Sequence, residues 1–393
     1  MDGLKSLSRA AAGLRLAHLI ECDGPGGAER VVAHLATTLQ AAGAYNLAIL
    51  PANGEGWLAR ELTGSGVAIE YFELHRPVSP ACARSLADVF RRHDIEVAHS
   101  HEFSMAVYGS WASWLAGVQH VITMHGSRYY AGRLQRRLAM RAAVALSSAT
   151  VAVSQRLVDD MSRDLWLSRT RIAMVVNGVA HAEPERTTLR EELGLGPADT
   201  LLVAVGNLYP VKGHRFAIDA LALLARRYPR LHLAIAGRGD LATRLAGQAR
   251  ACGVADRLHL LGLRSDVNGV LAAADIVVHP SLAEGLPLAL LEAMFAGRPI
   301  IASNVGEIGM ALDGGNDGLL VEPGNPAALA AAIDHLLREP DFARSLGARA
   351  LRRAFGEFDV REMAGRYASI YAETLSGPVR SRRLQVGPAR PAA

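Results

Sequence analysis

Cysteine is nearly absent. Cys22, Cys82 and Cys252 are the three in 393 residues, and their wide spacing fits neither a disulfide framework nor a zinc site, which points to a reducing cytosol. No run of eighteen apolar residues occurs, so no helix is expected to span a membrane. The stretch Met1 to Leu14 carries Lys5 and Arg9 but only short apolar runs before Glu21-Cys22-Asp23, and does not read as a secretory signal. Neither G-x-G-x-x-G nor a P-loop Gly-Lys-Ser/Thr is present. A net charge of +4 is too small to imply a nucleic-acid partner. Half of the residues are hydrophobic and a fifth charged, the profile of a soluble globular protein, and the length exceeds what one core sustains, so two domains are expected.

Acidic residues are missing locally. None lies between Glu102 and Asp159, whereas Arg128, Arg133, Arg136, Arg137, Arg141 and Arg156 all do. The segment Arg133 to Arg141 reads as a basic helix with Leu134, Leu138 and Met140 as apolar positions. Such a helix suits an anionic membrane surface, which attracts each basic residue by about 1 kcal/mol. The alternative is a solvated helix that packs Leu134 and Leu138 on a sheet.

What is present is an alternation of short apolar runs with helical patterns, the sign of βαβ units and parallel sheets. Strands are expected at Leu16–Ile20, Leu47–Leu50, Val67–Tyr71, Glu96–His99, His120–Met124, Thr150–Val153 and Ile172–Val176. A linker at Asn177–Arg190 follows. A second series begins at Thr200, with strands at Leu201–Val205, Leu231–Ala236, Leu258–Leu261, Ile276–His279, Pro299–Ala302 and Gly318–Val321. The expected domains are 1–180 and 181–356, then a helical segment 357–376 returning to the first domain and a disordered Pro/Arg/Ala tail, 377–393.

Parallel sheets place ligands at the carboxyl ends of their strands. After the first strand of each half come Asp23-Gly24-Pro25-Gly26-Gly27-Ala28-Glu29-Arg30 and Gly206-Asn207-Leu208-Tyr209-Pro210-Val211-Lys212-Gly213-His214. Adjacent glycines admit a bulky ligand, or merely make a tight turn. Lys212 just before a helix adds to the positive end of the dipole, a cost that a bound phosphate offsets; a solvated surface lysine is the alternative. Glu284 and Glu292 bracket seven residues that include Pro287, suited to a first helical turn. Eight helical positions advance about 12 Å, too far to share one metal or proton but suited to two hydroxyl-bearing parts of an extended ligand. Otherwise Glu284 offsets a helix dipole and Glu292 meets a structural arginine.

Taken together, Gly26-Gly27-Ala28-Glu29-Arg30, Thr123-Met124-His125-Gly126, Asn177-Gly178-Val179, Val205-Gly206-Asn207-Leu208 with Lys212-Gly213, and Pro280-Ser281 through Glu292 resemble the retaining, nucleotide-sugar-dependent glycosyltransferases of family 4. The resemblance covers roughly residues 14 to 375. It implies the α/β GT-B fold, two Rossmann-like parallel-sheet domains facing a central cleft. It implies that Glu284 meets the donor sugar's hydroxyls, with the Gly285 and Leu286 backbone beside sugar and diphosphate, and that Glu292 takes the ribose hydroxyls. Lys212 would neutralise the diphosphate, His125 would approach the reacting centre, and Gly26, Gly27, Gly206 and Asn207 would line the donor, with Arg264 near the nucleobase. No metal or cofactor is implied.

Three positions depart from the family pattern: Asn207 stands where arginine is common, Gly306-Glu307-Ile308-Gly309-Met310 replaces Gly-Gly-x-Pro-Glu, and Ala180 replaces aspartate. The implied activity is transfer of a sugar from a nucleotide-diphosphate sugar to a saccharide or lipid-linked acceptor, in cell-surface polysaccharide or lipopolysaccharide biosynthesis. The implied place is the cytoplasm, peripherally on the inner face of the plasma membrane, with Arg128, Arg133, Arg136, Arg137 and Arg141 on the membrane or acceptor surface. A nucleotide-sugar 2-epimerase and a donor-binding module without turnover are the alternatives.

Overall fold

The computed structural model describes residues 2–54, 56–73, 79–126, 129–181 and 187–377. The expected tail beyond Gly377 and the candidate Arg128 lie outside them. The chain divides into two compact units, Met1–Ala180 with Val360–Ala393, and His181–Asp359.

In the first unit the apolar runs form β1 (Arg15–Leu19), β2 (Tyr45–Pro51), β3 (Ala68–Phe72), β4 (Val97–His101), β5 (Gln119–Met124), β6 (Ala149–Ala152) and β7 (Ala173–Met174). All pair in parallel, in the order β3-β2-β1-β4-β5-β6-β7. The second unit holds β8 (Thr200–Val205), β9 (Leu231–Ala236), β10 (Leu258–Gly262), β11 (Ile276–His279), β12 (Ile300–Ser303) and β13 (Leu319–Val321). These are again parallel, in the order β10-β9-β8-β11-β12-β13. Each of the thirteen expected strands is found.

The differences lie at the margins. β7 is shorter than Ile172–Val176 because it is an edge strand with one neighbour, paired only at Ala173 and Met174. A short helix, Leu189–Glu192, begins inside the expected linker and buries Leu189. Pro287 precedes the helix Leu288–Phe295 with extended ψ and is not in its first turn. The second unit runs to Asp359, three residues beyond the expected boundary, because the helix Pro340–Glu357 closes it.

Both faces of each sheet are covered, which is why these strands read as continuous apolar runs and not as alternating ones. In the second unit Ile218 and Leu221 of the helix His214–Leu224 pack with Leu233, Ile235, Leu329 and Ile333. In the first unit the helix Val360–Leu375 carries Tyr367 and Tyr371 four residues apart on one face, both fully buried. The Tyr371 hydroxyl lies 2.7 Å from His99 Nδ1, the Tyr367 hydroxyl 3.0 Å from Thr123 Oγ1, and Thr123 Oγ1 2.7 Å from His99 Nε2. Strand order reverses between β1 and β4 and between β8 and β11. Such switch points are where open parallel sheets place their ligands.

Candidate active site

The loops after β8 and β11 are neighbours because those strands pair. They are laced together: Leu282 N–H donates to Val211 O at 2.8 Å, and a Cβ on Gly213 (φ +66°) would sit 2.0 Å from Pro280 O. Only glycine tolerates that approach together with that φ. The result is one polar knot. Glu284 Oε1 receives Lys212 Nζ at 2.7 Å and Ser281 Oγ–H at 2.7 Å, and lies 3.3 Å from His279 Nε2. Its side chain is only 10% exposed. Burial opposes the charge on Glu284, but the His279 hydrogen bond and the Lys212 ammonium outweigh it and hold its pKa down at about 2.

Lys212 has a sequence signal of its own: it and Lys5 are the two lysines of the chain, every other basic residue being arginine. In a compositional background that replaces lysine elsewhere, Lys212 stands out as a point charge on a short loop. His279 and Ser281, which complete the knot, stand in the same sequence stretch but had no role attached to them. His214 was also missed; its Nε2 lies 3.0 Å from Gly206 O, and burial lowers its pKa to about 4, so it is a neutral prop for the loop.

Gly285 is exposed, and a Cβ there would meet nothing within 4 Å, so its backbone is open to a ligand; Leu286 beside it is buried. Gly306 has φ +57°, and a Cβ on it would lie 2.1 Å from Glu284 O, while Glu307 N–H donates to Gly285 O at 3.0 Å. The departure from the family pattern at Gly306 therefore leaves that loop seated directly beneath Glu284 and Gly285. Glu292 is half-buried in the helix Leu288–Phe295, and Gly206 and Asn207 are half-buried after β8. Arg264 makes four hydrogen bonds to two carboxylates, 2.6–2.7 Å to Asp266 and 2.9–3.5 Å to Glu192.

The first unit's switch point is built differently. Gly26 faces the Glu29 carboxylate, which a Cβ would meet at 2.2 Å, whereas a Cβ on Gly27 would meet nothing within 4 Å. Gly27 is thus the position open to a ligand. His125 follows β5, and its Nε2 lies 3.2 Å from His101 Nδ1. Burial lowers the pKa of His125 to about 4 and pushes His99 and His101 well below the ordinary imidazole value, so this group is neutral at physiological pH. Ligand atoms of His18, His99 and His101 lie within 4.8 Å of one another, the arrangement among the described residues nearest to a metal-ligand set. His99 already has a hydroxyl partner on each ring nitrogen, leaving only His18 Nδ1 and His101 Nε2 unpartnered, two short of a tetrahedral shell. The cluster is therefore a hydrogen-bonded scaffold.

The basic helix runs Leu134–Leu146 and overturns the alternative in which Leu134 and Leu138 pack on the sheet: they are 62% and 52% exposed, and Met140, Ala143 and Val144 make the buried face. Tyr129 and Trp166, 52% and 55% exposed, are tied to the same helix through their backbones. Arg136 bonds Tyr129 O, Arg137 bonds Ala131 O, and Arg141 bonds Leu165 O and Trp166 O. These arginines staple aromatic loops to the helix, while Arg133 is exposed. No helix among the described residues is long and apolar enough to cross a membrane.

Two family models match the chain, Glycosyltransferase Family 4 over residues 25–183 and Glycosyl transferases group 1 over residues 199–339. The chain is 31% identical over 310 residues to the alpha-maltose-1-phosphate synthase of Mycolicibacterium smegmatis, covering 70% of this chain and 78% of that one. It is 28% identical over 255 residues to the UDP-Gal:alpha-D-GlcNAc-diphosphoundecaprenol alpha-1,3-galactosyltransferase of Escherichia coli, covering 61% and 65%. Among solved structures, a glycosyltransferase from Rickettsia africae superimposes with a TM-score of 0.83 at 19% identity, covering 93% of this chain and all of that one. Anabaena HepE, crystallised with UDP-glucose, does so at 0.77 and 24% identity, covering 92% and 99%. The fold is thus the GT-B fold of those enzymes.

Proposed function

The chain belongs to glycosyltransferase family 4, and from that premise we propose that it moves a sugar, with retention of configuration, from a nucleotide-diphosphate sugar to a saccharide or lipid-linked acceptor. The Lys212–Glu284 contact at the β8/β11 switch point carries the reading. Departure of a nucleoside diphosphate leaves an oxocarbenium-like sugar, so stabilising the leaving group is the main requirement. Lys212, with the N-terminus of the helix His214–Leu224 behind it, meets the diphosphate. In this reading that charge serves where a metal otherwise would. Glu284, fixed as a carboxylate by its partners, takes the sugar hydroxyls, beside the open Gly285 backbone and Leu286. Glu292 takes the ribose hydroxyls, Gly206 and Asn207 flank the phosphates, and Arg264 sits toward the base.

On the first unit, Gly27 and its neighbour Gly26 admit the reacting groups, and His125 serves the reacting centre. The attacking hydroxyl gives its proton to the leaving phosphate oxygen, so no protein carboxylate becomes glycosylated. The acceptor is proposed to be a membrane-borne glycan intermediate of surface polysaccharide or lipopolysaccharide synthesis. Two observations support this: the E. coli relative's name specifies a diphosphoundecaprenol substrate, and Leu134 and Leu138 of the basic helix, with Tyr129 and Trp166 tied to it through their backbones, all have more than half of their surface exposed. The enzyme would then work peripherally on the cytoplasmic membrane face.

A thermal-shift and turnover screen of UDP-, GDP-, ADP- and dTDP-sugars tests the proposal. One nucleotide family should raise Tm and be consumed with transfer to an acceptor, and Lys212→Met should abolish the shift. Epimerised donor without acceptor, binding without turnover, or no response to any nucleotide sugar would each overturn it.

A further inference from the structure

At the ends of the first unit's strands His99, His101 and Asp23 are almost fully enclosed, and Glu102 follows at a left-handed φ of +68°. The second unit instead leaves a cavity of about 450 Å³ that the transfer chemistry above does not use. That volume falls in the range of small-molecule sites, roughly 300–1,000 Å³. The cavity lies among the loop after β8, the helix His214–Leu224 and the helix Ala242–Ala251. Tyr209, Pro210 and Gly213 of the loop line it, whereas Lys212 and Glu284 do not. Lys212 reaches Glu284 Oε1 at 2.7 Å instead. One loop thus carries both a wall of the cavity and the lysine of the donor knot.

The lining has a charged part and a hydroxyl-accepting part. Arg215 and Arg244 supply the charge. Both are exposed, and neither has a side-chain hydrogen bond or ion pair among the described residues; the Arg215 guanidinium rests 4.3 Å from the centroid of the Phe216 ring. Asp219 supplies the acceptor. Gln248 Nε2 donates to its Oδ1 at 2.6 Å and to Arg215 O at 3.0 Å, which fixes the carboxylate and leaves Oδ2 for another donor. The Tyr209 ring, 48% exposed, offers an apolar face beside them. Two guanidinium groups suit a doubly charged phosphate. Inorganic phosphate alone would set a like charge near Asp219. A sugar on that phosphate removes the conflict, because its hydroxyls donate to Asp219 and its C–H face lies on Tyr209.

We propose that this cavity is a second ligand site, for a hexose phosphate, and that its ligand acts on the donor site through the shared loop. That loop is laced to its neighbour by Leu282 N–H to Val211 O at 2.8 Å, and Leu282 also lines the cavity. A ligand that steadies Tyr209 and Gly213 therefore steadies Lys212 between them. By linkage, hexose phosphate and nucleoside diphosphate must tighten each other by the same factor. The site itself stands without the glycosyltransferase reading; the coupling rests on Lys212 meeting a diphosphate.

Isothermal titration calorimetry of the full chain tests both halves, with glucose 1-phosphate and glucose 6-phosphate as probes and glucose and inorganic phosphate as controls. At least one hexose phosphate should bind, and each control should bind about tenfold more weakly. The double variant Arg215→Ser with Arg244→Ser removes exposed side chains only, and should weaken the hexose phosphate about tenfold while leaving UDP affinity unchanged. Saturating UDP should tighten the hexose phosphate about fivefold, and the reverse titration should give the same factor. No hexose-phosphate binding, binding that survives the double variant, or displacement by UDP overturns the site. Inorganic phosphate binding as tightly as the sugar phosphates overturns the assignment to Asp219 and Tyr209. Simultaneous but independent binding overturns the coupling, and a chain that binds hexose phosphate but no nucleotide overturns the donor reading alone.

Discussion

Two switch points with the same strand logic treat a carboxylate in opposite ways. At β8/β11, Glu284 is buried against an ammonium, an imidazole and a hydroxyl, and its pKa falls to about 2. At β1/β4, Glu102 is buried with Glu21 and Glu29 as the charges acting on it, and its pKa rises to about 8. Strand order reverses at both places; the neighbours decide the charge. The second unit thus offers a fixed cation–anion pair for a polar, charged ligand. The first offers neutral imidazoles and a neutral acid, suited to hydroxyl groups.

Breaking the pair in the second unit should have the largest effect. Glu284→Gln is expected to cut kcat/KM by about 10²–10³-fold, as loss of a preorganised electrostatic contact does, with no covalent sugar adduct detectable by mass spectrometry; a trapped adduct would contradict the mechanism. Lys212→Met strands the buried Glu284 charge and should destabilise the unit by roughly 3 kcal/mol, read by denaturant unfolding.

The pH dependence of stability separates the two sites more finely. A carboxylate whose pKa is depressed contributes stability that is present above its unfolded value of 4.5 and is lost as pH falls toward about 2. Glu284→Gln should flatten the stability profile in that acid window. A carboxyl with a raised pKa behaves inversely: its contribution is full below 4.5 and disappears as pH rises through about 8. Glu102→Gln should therefore raise Tm relative to wild type increasingly from pH 5 to 8, and a constant difference would refute the assignment.

Backbone substitutions sharpen the contrast at lower cost. Gly306→Ala forces a Cβ onto Glu284 O at a left-handed φ and should cost roughly 1–3 kcal/mol and weaken nucleotide binding. Gly27→Ala meets open space and should change the unfolding free energy by no more than about 0.5 kcal/mol while weakening ligand approach on the first unit. Smallest of all, Leu134→Ser with Leu138→Ser should leave Tm unchanged, because both side chains are exposed, yet abolish flotation with anionic liposomes.

Much of this was legible in the sequence. Runs such as Leu231–Ala236 and Ile276–His279 are buried on both faces and so declare themselves as parallel strands, and their ends match the structure. The Glu284 loop declared itself through Gly, Pro and charge in an apolar setting, and Lys212 through its position before a helix. What stayed hidden is three-dimensional geometry that residue type does not announce, whether the partners are five residues apart or on separate strands. The Glu102 φ, the His101–His125 pair and the fixing of Glu284 by His279 have no local signature. The fate of Leu134 and Leu138 was equally unreadable, because the 3.6-residue period marks an apolar face without saying whether protein or solvent meets it.

The most direct test is a carboxyl ¹³C NMR titration of glutamate-labelled protein. One resonance, lost in Glu102→Gln, should titrate near pH 8; another, lost in Glu284→Gln, should remain ionised until the pH approaches 2. If both titrate near the ordinary value of 4.5, the two switch points are electrostatically alike and the division of labour between them is wrong.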